Sequence, residues 1–158
     1  MKFLIVPQCE AAKELYSNHS TYHEGDSGLD LFIVEDGIIP ARSNCRVDLG
    51  VSCQLKSESG GNFDDTPQYF SYNVYARSSI AKTPLILANG VGLIDAGYLG
   101  NLKAAFYNTS DSDYPIKKGE RYVQLARADL GEISFQLIDS FGDRTSSRGT
   151  NGLGSTSK

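Results

Sequence analysis

The sequence predicts an all-β fold, a sandwich or a barrel, and three observations point there. Short runs of β-branched and aromatic residues recur along the chain, split by Gly, Pro, Asp and Ser. Helical periodicity is nearly absent. The run Phe70-Ser71-Tyr72-Asn73-Val74-Tyr75 alternates in size and polarity, as a strand with two unlike faces does. In order, strands are expected at 2–6, 29–35, 46–49, 51–56, 70–77, 85–88, 92–94, 102–108, 114–116, 121–129 and 134–137. Many short strands at regular spacing suit packed sheets or a barrel. One helix candidate, 10–16, has room for about two turns.

The segments between strands are punctuation. Residues 56–68 make a long polar loop containing Gly60-Gly61, where mobility is expected. Residues 94–98 read as a hairpin turn between two strands, with Gly97 free to take a positive φ. Residues 117–120 are another turn leading into a strand. From 140 to 158 the chain is Gly, Ser and Thr with two arginines and almost no core formers. The expected division is a β domain at 1–139 and a flexible tail at 140–158.

Composition narrows the function classes. The 158 residues, 40% hydrophobic and 22% charged, suit one globular domain with a real core. A net charge of −4 argues against gripping nucleic-acid backbone, which needs a basic face. Any polyanionic ligand must then be caught by locally placed cations. Cys9, Cys45 and Cys53 are odd in number and lack a CxxC pair. They read as buried or part-buried free thiols in a reducing compartment, not as a disulfide or zinc framework. The apolar start stops at Pro7 and Gln8, short of the roughly 7–15 residues of a signal h-region. Asn89, Asp95 and Asn101 interrupt the longest apolar stretch. An intracellular protein, cytoplasmic or nuclear, with no membrane or nucleic-acid partner is expected.

Several residues carry chemistry when grouped and little when taken singly. The tail stretch Arg148-Gly149-Thr150-Asn151-Gly152-Leu153-Gly154-Ser155-Thr156 reads alone as a disordered terminus. Its glycines, hydroxyls and arginine also suit a lid over phosphate oxygens. It lacks the Gly-Lys-Ser/Thr ending of a P-loop. Ala76-Arg77-Ser78-Ser79 is an ordinary strand end or a second phosphate grip. Asp95 is a routine turn residue by itself.

Read in order, Ser27-Gly28-Leu29-Asp30-Leu31, Ala76–Ser79, Asn89 with 92–100, Gly119–Leu125 and the tail resemble the five ordered motifs of the trimeric dUTPase family. The resemblance spans nearly the whole chain. It implies a jelly-roll-like β-barrel, a homotrimer with shared active sites, and hydrolysis of dUTP to dUMP and diphosphate. That activity limits uracil incorporation into DNA and supplies dUMP for dTMP synthesis. By the same resemblance Asp95 is the general base that activates water, a role suited to an aspartate ionised at neutral pH. Tyr98 packs under the deoxyribose, and Asn89, Gly92, Leu93, Ile94 and Asp95 surround the uracil nucleoside. Arg77, Ser78, Ser79 and Gln124 contact phosphates, as do the lid residues Arg148, Gly154, Ser155 and Thr156. Lys103 matches a variable nucleotide contact. Mg2+ is the implied cofactor, held by phosphate oxygens and water without direct protein ligands, with Asp30 touching its water shell at most.

The chain departs from the family pattern in places. Leu153 stands where a phenylalanine usually stacks on uracil, Ala76 replaces a proline, and the 56–68 loop is long. The alternatives are a dCTP deaminase-type enzyme of the same fold and a non-catalytic nucleotide-binding relative. The first needs a catalytic glutamate on the segment 102–108, which contains no carboxylate.

Overall fold

The computed structural model describes residues 1–19, 23–58 and 67–142. Its strands are β1 Lys2–Pro7, β2 Gly28–Leu31, β3 Gly37–Ile39, β4 Asn44–Asp48, β5 Val51–Lys56, β6 Tyr69–Phe70, β7 Tyr72–Ala76, β8 Leu85–Leu87, β9 Gly92–Ile94, β10 Lys103–Asn108, β11 Tyr114–Ile116, β12 Val123–Arg127 and β13 Phe135–Leu137. They form sheets in the orders β13-β1-β5-β6, β4-β10-β8, β11-β3 and β2-β12-β7-β9. The sheets wrap one core in a jelly-roll-like fold, and their ladders do not join into a single closed ring among the described residues.

Several strands supply the core, and β5 is buried continuously from Val51 to Leu55. Phe3 and Ile5 of β1, Leu29 and Leu31 of β2, Phe106 of β10 and Val123 and Leu125 of β12 are fully buried. Polar groups within the core are satisfied locally. Tyr72 sets its ring edge-on to Phe3 and donates its hydroxyl to the Cys53 carbonyl at 2.9 Å. Asn108, with no exposure, donates to the carbonyls of Ile39 and Ser112 and accepts from Ser110. The helix α1, Glu10–Ser17, buries Ala12 and Tyr16, four residues apart on one face. The Tyr16 hydroxyl accepts from the Phe32 amide at 3.1 Å and docks the helix.

Several expectations need correction. The strand expected at 70–77 is two strands, because the chain leaves the β5 ladder at Phe70 and joins β12 and β9 from Tyr72. The expected 29–35 ends at Leu31, although Phe32 and Ile33 stay buried. β3 was not anticipated; three residues beside Asp36 and Pro40 carry too little pattern. The turn at 94–98 does not close a hairpin: β9 pairs with β7, whereas β10 pairs with β4 and β8. The left-handed glycine of this region is Gly90 (φ 68), not Gly97. Cys9 is exposed rather than buried, since its sulfur caps α1 by accepting from Ala12 N. No helix among the described residues is long and apolar enough to cross a membrane.

Candidate active site

The first group of polar residues lies where β2, β12 and β7 end together. Gln124 on β12 stands opposite Asp30 on one side and Tyr75 on the other. Asp30 is buried, and its two oxygens meet two guanidiniums: Arg77 Nε at 2.5 Å and Arg121 Nη1 at 3.0 Å. Arg77 Nη1 also donates to the Arg121 carbonyl at 2.9 Å and to Ser79 Oγ at 3.2 Å. The Arg121 guanidinium lies 5.9 Å above the Phe32 ring. Two cations around one anion leave a net positive strand end, with the guanidiniums held in place rather than free to wave. Ser78 and Ser79 open a short 3₁₀ turn, Ser78–Lys82, directly after Arg77. Gln124 Nε2 reaches the Ala76 carbonyl at 3.4 Å, and its Oε1 comes so close to Gly28 that a Cβ there would sit 2.2 Å away. Gly28 is therefore a glycine by close approach.

The second group surrounds the turn after β9. Asp95 follows Ile94, and its carbonyl accepts from Tyr98 N at 2.9 Å. Beneath this turn Gln54 Nε2 donates to the carbonyls of Ala96 at 3.3 Å and Tyr98 at 3.2 Å. At its side Ala96 N donates to Ser71 Oγ at 3.3 Å. The Tyr98 hydroxyl donates to the Asn101 carbonyl at 2.7 Å, and Asn101 Nδ2 reaches both oxygens of Asp48 at 3.3 Å. Burial, and then the nearby Asp48 charge, raise the Tyr98 pKa, so the phenol stays protonated. Asn89 is exposed in the turn before β9, with its amide near Gly92. Leu93 is 68% exposed. β9 is the last strand of its sheet, so its outer backbone edge faces away from the ladder.

These two groups do not meet within one chain. Ile94 pairs with Tyr72, whereas Arg77 lies five residues further along the same strand direction. At about 3.3 Å per residue, the Asp95 turn and the Arg77 end stand roughly 16 Å apart or more. Lys103, exposed at the start of β10, sits opposite Asp48 beside the second group. Arg148, Leu153, Gly154, Ser155 and Thr156 lie outside the described residues. Asp30 has one oxygen on each of the two guanidiniums.

Four contributors escaped the sequence reading. Arg121 falls inside the fourth motif but received no role there. Asp48 and Asn101 are separated by more than fifty residues, and nothing in their local pattern links them. Gln54 alternates with apolar residues in Val51-Ser52-Cys53-Gln54-Leu55, a pattern that marks no function, and both faces of β5 are covered.

Comparison with known proteins identifies the family. A dUTPase family model matches residues 17–157, a span that includes the tail. The chain is 34% identical over 134 residues to the deoxyuridine 5'-triphosphate nucleotidohydrolase of Paramecium bursaria Chlorella virus 1, covering 84% of each. It is 30% identical over 135 residues to that of Clostridium acetobutylicum, covering 85% of this chain and 84% of the relative. Among solved structures, a Staphylococcus bacteriophage 80alpha dUTPase mutant with dUpNHpp superposes with a TM-score of 0.62 at 20% identity, covering 98% of both chains. Native EIAV dUTPase gives 0.54 at 21% identity, over 78% of this chain and 85% of that one. At such identities the structures speak for the fold alone. The family match and the curated relatives define a nucleotide hydrolase, here on a jelly-roll-like scaffold. More narrowly, the chain belongs to the dUTPase family.

Proposed function

We propose that the chain hydrolyses Mg·dUTP to dUMP and diphosphate, with Asp95 as general base, in a homotrimer whose sites draw on more than one subunit. One observation carries the reading: the water-activating turn and the cationic strand end occupy opposite ends of β7. A substrate with a base at one end and three phosphates at the other spans such halves only when copies of the chain bring them together. The exposed apolar side chains of Val91 and Leu93, next to the turn, supply surface for that contact.

In this arrangement uracil lies along the outer edge of β9. An edge strand presents N–H and C=O groups alternately, which complements the acceptor–donor–acceptor edge of uracil. Cytosine has an amino group where that pattern needs an acceptor. Tyr98 fills the space beside the sugar C2′, so a 2′-hydroxyl is excluded. The Asp95 carboxylate takes a proton from a water, and the oxygen attacks the α-phosphorus while diphosphate leaves. Arg77, Ser78, Ser79 and Gln124 of a neighbouring copy hold the phosphates, and the tail residues Arg148, Gly154, Ser155 and Thr156 close over them from 140–158. Positioning and charge neutralisation supply most of the acceleration.

Magnesium enters as part of the substrate. A triphosphate carries several negative charges, and a hard divalent cation held by phosphate oxygens and water suits it. The test is diphosphate release from dUTP, UTP, dTTP and dCTP, with and without magnesium. Turnover of dUTP alone, dependent on magnesium, is expected. Comparable turnover of UTP, or ammonia release from dCTP, overturns the reading.

A further inference from the structure

We infer that Gln54 is a positioning residue for Asp95, holding the 95–98 turn from below so that the carboxylate is aimed at the attacking water; this rests on the general-base reading above. Gln54 lies in the middle of β5, is 2% exposed, and sits among residues buried on both faces. Its Nε2 donates to two carbonyls at once, those of Ala96 and Tyr98. Two acceptors on one side fix the amide orientation, because the flipped form would set Oε1 against both. The same orientation leaves Oε1 as the buried side-chain atom without a partner among the described residues.

A half-satisfied amide in a buried strand is a costly choice. Leucine or methionine would fill the space without an orphaned acceptor. What the amide adds is a pair of donors into the turn that carries Asp95 and Tyr98. Ser71 and the internal Asp95–Tyr98 bond also hold that turn. One buried group thereby couples the height of the base to that of the ring beside the sugar.

The test compares Gln54→Met and Gln54→Glu with the wild type in Mg·dUTP hydrolysis, reading kcat and KM separately, the pH profile and Tm. Gln54→Met keeps the volume and removes both donors. Displacement of a reacting group by about 1 Å costs on the order of a hundredfold, so kcat is expected to fall at least about tenfold while KM stays within about threefold. Gln54→Glu repels the two carbonyls when ionised and donates to one when protonated. Its kcat relative to wild type is expected to rise as pH falls. Wild-type kcat in Gln54→Met, or a rise in KM alone, overturns the inference. Should Gln54→Met not fold, an unchanged pH profile for Gln54→Glu does so. Asp95→Asn runs in parallel: if it retains turnover, the general-base reading itself fails, whatever Gln54 does.

Discussion

Replacing Asp30 by asparagine removes one charge and almost no volume from the most densely charged point of the fold. In the native arrangement the carboxylate lies 2.5 Å from Arg77 Nε and 3.0 Å from Arg121 Nη1, with its side chain 11% exposed. Each guanidinium contributes about 4 kcal/mol of gross attraction at an effective dielectric near 20. Removing three ions from water consumes much of that, and both arginines remain about a quarter exposed. The net loss on Asp30→Asn is about 2–4 kcal/mol, which for a chain of this size lowers Tm by roughly 5–15 °C. Arg77 is also released from its fixed direction, so KM for dUTP rises. Thermal unfolding of Asp30→Asn, Arg77→Met and the double variant measures the coupling. A Tm within about 2 °C of wild type, or strictly additive losses in the double variant, refutes the reasoning.

Three further outcomes follow from other contacts. Burial holds the His19 pKa below its usual value, against the pull of the Asp30 carbonyl 3.2 Å from Nε2, so folding favours the neutral ring. The unfolded chain takes up a proton near pH 6.5, so this contribution is present above that pH and lost as pH falls below it. Tm measured from pH 7 to 5 should therefore fall less steeply in His19→Gln than in wild type; equal slopes contradict it. Gly28→Ala places a Cβ 2.2 Å from Gln124 Oε1 and must swing that amide away. Loss of one phosphate hydrogen bond raises KM for dUTP about 2- to 10-fold with little change in Tm, and an unaltered KM counts against the Gln124 role. Leu153→Phe restores an aromatic face for uracil, worth roughly 0.5–1.5 kcal/mol, or about a 2- to 10-fold lower KM; no gain in affinity refutes it.

What was legible in the sequence is what local pattern encodes. The strands at 51–56, 92–94 and 114–116 coincide with their expected bounds because turn residues flank each of them. The helix at 10–16 was legible as a short run of helix formers, and Cys9 capping it was not. Pairing between distant strands was beyond local pattern: adjacency in sequence suggested that β9 and β10 form a hairpin, yet each has its partners elsewhere. The motif residues could be named one by one, but not their separation along β7. Nor could alternation in β5 reveal that a second layer covers Gln54, since a strand buried on both faces and one facing water share a period of two.

The central claim is that one chain's acid works with another chain's arginine. Arg77→Gln and Asp95→Asn, each purified and inactive alone, are unfolded together in equal amounts, refolded and assayed for diphosphate release from dUTP. Random trimers give about three mixed assemblies in four, each with one intact site of three, so activity should return to about a quarter of wild type. Sites built within single chains would leave the mixture as inactive as its parts, and that result would contradict the account.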